Sequence, residues 1–213
     1  MIDILYSPNN APIEASSWKE HLSILPLSIR EKISRFHKWE DRQSALYGKL
    51  LLLEGLKKYG LHKDCLNNLS YNQWGKPFLE NGPIFNISHS GNVVICAISK
   101  DIQLGIDVEK VDSKIDLTDF NDHMSKEQWA VIHESTNPHQ TFFSYWVIKE
   151  SVIKAEGRGL SIPLTDIHIK NSIVDLYGTK WHVKTMQLFE GYACSLAYNG
   201  KENPNLSITP VVF

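Results

Sequence analysis

The sequence predicts an α+β protein, a pseudo-dimer of two similar halves, each a long helix packed on a small antiparallel sheet. Three observations point there. A long helical stretch, a glycine stop and a set of short strands run from Asp41 to Ser99, and the same order returns from Thr141 to Tyr198. With 213 residues, 42% of them hydrophobic and 10% aromatic, the chain can bury a substantial core. No low-complexity linker divides it, so residues 1–101 and 102–213 are expected to pack as one body.

Taken in order, Met1–Tyr6 alternates weakly and reads as an edge strand, followed by a loop over Ser7–Pro12. Trp18–Leu25 is a short helix that stops before Pro26. Ser28 and Glu31 have the spacing of a capping box, so a second helix is expected to begin at Ser28. Asp41–Tyr59 is the longest helix of the first half, with Leu46, Leu50, Leu53 and Leu56 at helical spacing and Gly60 ending it. Gly75-Lys76-Pro77 bends the stretch from Tyr71 to Leu79. Phe85–Ser88 and Val93–Ile98 form a hairpin turned by His89-Ser90-Gly91-Asn92.

Leu104–Val111 is the next strand, and Lys110–His123 is irregular and polar, with Phe120 and Met124 expected to stay partly exposed. Ser125-Lys126-Glu127-Gln128 resembles a helix cap, and Asn137-Pro138 breaks the helix that follows. Thr141–Glu156 is the second strong helix, stopped by Gly157-Arg158-Gly159. Ile167–Ile173, Trp181–Gln187 and Tyr192–Tyr198 read as antiparallel strands with turns at Tyr177-Gly178 and Glu190-Gly191. The tail from Asn199 reads as loop.

Composition excludes several functions. The net charge is −2 and the pI about 6.5, so attraction of the whole molecule to nucleic acid or to an acidic membrane is not expected. Cys65, Cys96 and Cys194 form no CxxC pair and read as reduced thiols of a cytoplasmic protein. No signal peptide pattern opens the chain, and no apolar run is long enough for a bilayer. A monomer is expected. One local departure stands out: from Arg30 to Lys63, nine Lys/Arg face four Asp/Glu, which is either a solvated basic surface or a region that steers an anion.

Three stretches carry chemistry. In Leu104-Gly105-Ile106-Asp107-Val108-Glu109, a period of two puts Leu104, Ile106 and Val108 on one face and Asp107 and Glu109 on the other. Two neighbouring carboxylates resist ionising together unless a cation sits between them, and oxygen-only ligands suit Mg²⁺ or Mn²⁺. The alternative is a solvated acidic face. On the second long helix, Phe142, Trp146, Glu150 and Lys154 share a stripe. Either Glu150 is a third carboxylate ligand with Lys154 facing an anion, or the two form an ordinary i,i+4 pair worth ~0.3–0.5 kcal/mol. Finally, Asn86-Ile87-Ser88-His89-Ser90-Gly91 offers hydroxyls, an imidazole and an approachable backbone to a phosphate. A Ser-His hydrolase is rejected, because sequence neighbours on a strand point apart and no G-x-S-x-G elbow occurs. His62, His133 and His168 lack zinc spacing.

With these stretches assembled, the chain resembles the Sfp-type 4'-phosphopantetheinyl transferases. The resemblance rests on Arg35-Phe36 with Glu40-Asp41, Gly75-Lys76-Pro77, Phe85–Ser90, Gly105–Glu109, and Trp146–Ser151 continuing to Lys154 and Gly157–Leu160, in the family's order over about three quarters of the chain. It implies an active site between the two halves and coenzyme A as co-substrate. It also implies Mg²⁺ held by Asp107, Glu109 and Glu150, and transfer of the 4'-phosphopantetheine arm to a serine of an apo acyl or peptidyl carrier protein, with release of adenosine 3',5'-bisphosphate. Glu150 is the implied base, directly or through a metal-bound water, and Lys154 the implied stabiliser of phosphoryl charge. Ser88 and His89 are implied phosphate contacts, His89 for the 3'-phosphate, with Lys76 and Pro77 bordering adenine. One position departs: the family's arginine three residues past its Glu-Asp pair is Ser44 here, leaving Arg42 or Lys32 to take its place. The segment after the acidic strand is the implied carrier-docking region, with Phe120 and Met124 as apolar contacts and Trp129 either a contact or internal. Two other functions compete: a metal-dependent nuclease or phosphohydrolase, and a non-catalytic module that binds coenzyme A or a carrier.

Overall fold

Ile2–Pro8 (β1) opens the chain, and its position in the sheet overturns the expectation of an edge strand. The computed structural model describes Met1 to Phe213. Val93–Ser99 (β5) runs antiparallel on one side of β1, and Leu206–Pro210 (β11) runs parallel on the other. The tail read as loop is therefore a strand. It covers the row of backbone donors and acceptors that β1 would otherwise leave open, and its final Phe213 packs 5.0 Å from the Tyr47 ring. The boundary moves accordingly: one unit comprises Met1–Ile102 with Pro204–Phe213, the other Gln103–Asn203, so residues 204–213 leave the second half for the first.

The first unit carries helices Ala15–Ser23 (α1), Leu27–Ser34 (α2) and Trp39–Lys57 (α3), the small hairpin Leu69–Tyr71 (β2) and Pro77–Leu79 (β3), and strand Ile84–Ser90 (β4). Its main sheet has the order β11-β1-β5-β4. Ser28 is not a cap. The helix starts one residue earlier, after Pro26, whose fixed φ of −53° leads into it with no side-chain cap. On α3, Leu46, Leu51, Leu52 and Leu56 are fully buried against Leu5, Phe85, Val94, Cys96 and Ile98 of the sheet. Gly48 lets the helix lie close: a Cβ there would stand 3.0 Å from Ile87 Cγ2 on β4. His89 and Ser90 belong to β4 rather than to the turn, which narrows to Gly91-Asn92.

The second unit is built on one long helix, Pro138–Glu156 (α5), over the sheet β6-β10-β9-β8-β7. Its strands are Leu104–Lys110 (β6), Ile169–Lys170 (β7), Ile173–Leu176 (β8), Thr179–Thr185 (β9) and Tyr192–Tyr198 (β10). The stretch expected as one strand over Ile167–Ile173 is two, folded back at Asn171 and Ser172, both with positive φ. Lys126–Glu134 (α4) starts with the expected capping box of Ser125 and Gln128. That helix ends at Glu134, before Asn137-Pro138 as expected, and Pro138 also opens α5, with Asn137 as its cap, because proline is tolerated where no intrahelical N–H is needed. No helix is long and apolar enough to cross a membrane.

Candidate active site

β6 sets the geometry of the second unit's site. Its two faces are both covered, contrary to the open acidic face expected from alternation. Leu104, Ile106 and Val108 are fully buried, and so is Asp107, at 1% exposure. The reason is α5, which lies against the Gly105–Asp107–Glu109 face. A Cβ on Gly105 would stand 2.2 Å from the Ser151 carbonyl oxygen and 2.3 Å from the Ala155 nitrogen, so only glycine admits the helix at this distance. Across the sheet, Gly105, Asp107 and Glu109 pair with Ala197, Ser195 and Ala193 of β10, small residues that keep the same space open. Ser151 Oγ donates to Ser195 Oγ at 3.1 Å and fixes helix to strand beside Asp107.

Glu150 and Lys154 each precede one of these contact residues on α5, and so lie along the edge of the helix–strand seam. Lys154 Nζ donates to Asp107 Oδ1 at 2.5 Å. Glu150, half-buried, sits in the field of both: burial first and the Asp107 charge second push its carboxyl above the ordinary glutamate range, while Lys154 pulls it down. Asp107, Glu150 and Lys154 are thus brought together from two segments. Glu109 lies two residues along β6 on the same face, half-buried. No three acidic, histidine or cysteine side chains converge as a finished metal cage in this conformation, in which the lysine takes up Asp107. The donor set still fits a hard divalent cation. All three carboxylates offer oxygen only, and set against one ammonium they leave an excess of two negative charges in a poorly hydrated seam.

Lys149, next to Glu150, is fully buried and donates to the carbonyls of His123 (2.8 Å) and Leu164 (2.7 Å). Burial pulls its pKa down to about 8. It ties the end of the segment after β6, and the loop after α5, to the helix that carries Glu150. The sequence reading gave it no role; a lysine inside the apolar run Val147-Ile148-Lys149 was the available signal. The same segment corrects the expectation for Met124, which is 4% exposed and packs with Ile132, Phe142, Phe143 and Val147 in a core cluster. Phe120 is half-buried, its ring 5.1 Å from Phe142 and 5.4 Å from Trp146. Trp129 packs into the same cluster and donates from its indole to the Asn121 carbonyl.

The first unit holds the residues expected to meet the nucleotide. Lys32, in the last turn of α2, lies 4.1 Å over the Tyr71 ring. Asn72 Oδ1 accepts from the backbone of Trp74 and Lys76, which shapes the turn that presents Lys76 and Pro77. Ser88 is 5% exposed and His89 is exposed; as neighbours on β4 they face opposite sides of the sheet. Arg42 is half-buried on α3. Ser44 is committed to structure: it accepts from Asn9 Nδ2 at 2.9 Å, next to Gln43, which binds Asn9 and the Ala11 carbonyl.

Comparison with known proteins follows the same division. Residues 103–197 match the family model of the 4'-phosphopantetheinyl transferase superfamily, and residues 11–101 match that of the 4'-phosphopantetheinyl transferase N-terminal region. The chain is 34% identical to the 4'-phosphopantetheinyl transferase gsp of Aneurinibacillus migulanus, over 82% of this chain and 76% of that protein. It is 34% identical to the 4'-phosphopantetheinyl transferase Sfp of Bacillus subtilis (strain 168), over 75% and 72%. HetI, a 4'-phosphopantetheinyl transferase of Nostoc, is 30% identical over 61% of this chain and 58% of its own length.

Proposed function

The chain belongs to the 4'-phosphopantetheinyl transferase family, and we propose that it transfers the 4'-phosphopantetheine arm of coenzyme A to a serine of an apo carrier protein. The observation that carries this reading for the chain itself is the Asp107–Lys154 pair with Glu150 in its field, inside the matched segment. In the reaction, the serine oxygen forms a bond to the phosphorus that bears the pantetheine arm. The bond from that phosphorus to the bridging oxygen breaks, and adenosine 3',5'-bisphosphate leaves with the electron pair.

The residues divide this work. Asp107, Glu109 and Glu150 are the groups that would hold Mg²⁺, or Mn²⁺. When bound, the metal neutralises pyrophosphate charge and polarises the phosphoryl group. Glu150 accepts the serine proton, directly or through a water. Its place on α5 one turn before Lys154, in the field of the Asp107 carboxylate, sets it beside the group that would meet the phosphoryl oxygens. Lys154 exchanges its Asp107 partner for phosphoryl oxygens and stabilises the negative charge that grows on them. Lys76 and Pro77 border the adenine, Lys32 and His89 contact the 3'-phosphate, and Ser88 on the other face of β4 contacts the remaining phosphate oxygens. Arg42 is a secondary contact at most, because α3 places it two residues before the position it would replace. Phe120 contributes to carrier docking, whereas Met124, inside the core, acts by holding that segment in place.

The test is to incubate the protein with coenzyme A, Mg²⁺ and a panel of apo acyl and peptidyl carriers, then weigh the products. At least one carrier should gain the mass of a single arm on its serine, and Glu150→Gln should abolish the gain. A silent panel, or near-normal turnover by the variant, contradicts the reading.

A further inference from the structure

Lys149 is the one charged side chain of α5 that is sealed from solvent, at 0% exposure, and no carboxylate pairs with it. Burying a charge without a counter-ion is costly. A methionine would fill much the same space beside Val147 and Ile148 without that cost. What only the ammonium supplies is a pair of directed bonds, 2.8 Å to the His123 carbonyl and 2.7 Å to the Leu164 carbonyl. The acceptors stand twenty-six residues before it and fifteen after it. They also belong to differently packed pieces of chain: Met124, next to His123, lies in one buried cluster and Leu164 in another. Lys149 joins the two.

The first of these acceptors closes the stretch Leu117–His123, which carries Phe120. The Trp146 ring on α5 lies 5.4 Å from the Phe120 ring and 5.6 Å from that of His123. The helix therefore grips this stretch twice, through rings at Trp146 and through the main chain at Lys149. Ring packing tolerates sliding, whereas a hydrogen bond to a carbonyl fixes register, because it weakens steeply away from its preferred distance and angle. Glu150 follows Lys149 in the chain, so the place of the Phe120 stretch on α5 is also its place relative to Glu150.

We propose that Lys149 is a positioning residue for transfer: by holding the His123 and Leu164 carbonyls to α5, it fixes the Phe120 stretch, and a carrier serine delivered along it, against Glu150. This rests on the transferase reading. A misplacement of about 1 Å between reacting groups can cost roughly a hundredfold in rate. A carrier docked on a stretch that has slipped would still bind through its own contacts, with its serine out of line.

Lys149→Met keeps the length of the side chain and removes its donors. Hydrogen exchange read by mass spectrometry should speed up in the peptides that hold residues 117–124 and 164–167 and stay unchanged elsewhere. Steady-state kinetics should show kcat for transfer lowered roughly ten- to a hundredfold, with the KM for coenzyme A and the affinity for the apo carrier unchanged. A residue that only supported the fold would instead weaken all of these together and speed exchange throughout the chain. Should Lys149→Met fail to fold, Lys149→Gln, which keeps a donor of shorter reach, is read in the same way. Undisturbed exchange at 117–124, a wild-type kcat, or a KM for coenzyme A that rises in step with the fall in kcat would overturn the assignment. If wild type itself transfers no arm to any carrier, the transferase reading is what fails; wild-type transfer beside an unimpaired variant confines the failure to Lys149.

Discussion

At the scale of single residues, the site holds charges that the empty fold would be better without. Burial and the Asp107 charge raise the pKa of Glu150, against the pull of Lys154, so its charged form is disfavoured in the folded chain. A carboxyl whose folded pKa lies above its unfolded one lowers stability once pH passes the unfolded value. Glu150→Gln should therefore melt slightly higher than wild type at pH 7 without metal, while losing transfer. Added Mg²⁺ should reverse the order, raising the wild-type midpoint by mass action and leaving the variant where it was. Thermal melts with and without Mg²⁺ read both effects; a variant that is less stable without metal, or equally stabilised by it, contradicts the role given to Glu150. The carboxylates were legible in the sequence because alternation on a strand and a four-residue stripe on a helix are strong patterns. The role of Lys149 is not legible there. A lysine in an apolar run announces only that something must satisfy it, and the partner, a carbonyl from fifteen or twenty-six residues away in the case of Lys149, is a tertiary fact.

At the scale of elements, α5 is the organiser of the second unit, and its hold on neighbouring segments runs through Lys149. With a folded pKa of about 8 against the ordinary lysine value of 10.5, this lysine is more often neutral when folded than when unfolded in that interval. The unfolded chain binds more protons there, so the contribution of Lys149 to stability rises as pH climbs from about 8 to about 10.5 and is flat below. Lys149→Met should remove that rise. Comparing urea midpoints of wild type and variant at pH 8 and at pH 10 isolates it, since the buried thiols and Tyr59, which act in the opposite direction at high pH, are common to both. A difference between the two proteins that does not change with pH would contradict the account. The long helices and the pairing of β4 with β5 are legible from periodicity, whereas the extent of β4 is not, since His89 and Ser90 read as turn residues but pair with Val94 and Val93. β11 was missed because five residues after a polar, turn-rich stretch carry no signal of their own; pairing with β1 creates the strand. The split at Asn171-Ser172 was missed for a related reason, since two consecutive non-glycine residues at positive φ are rarely written in a sequence.

At the scale of the whole molecule, the net charge of −2 conceals a division of labour. The first unit concentrates the basic residues assigned to the nucleotide, and the second carries the acidic cluster assigned to metal and proton transfer. Docking of a carrier adds a third surface beside the second. Phe120, half-buried on the aromatic cluster of Phe142 and Trp146, is its candidate contact. Phe120→Ala should raise the KM for the carrier by roughly tenfold, about 1–2 kcal/mol, with the KM for coenzyme A unchanged. Equal rises in both would mean that the ring supports the site rather than the partner. The twofold recurrence of helix and strands was visible in the sequence, whereas the return of residues 204–213 to the first unit was not, because chain order says nothing about which sheet a terminal strand joins.

The most direct test measures two products in one reaction: adenosine 3',5'-bisphosphate released and phosphopantetheine arms gained by an apo carrier. Transfer at the Asp107, Glu109, Glu150 and Lys154 cluster predicts equal amounts of the two, and no release when the carrier is omitted or its serine is replaced by alanine. Steady release of the bisphosphate without any acceptor would show hydrolysis in place of transfer and contradict the account.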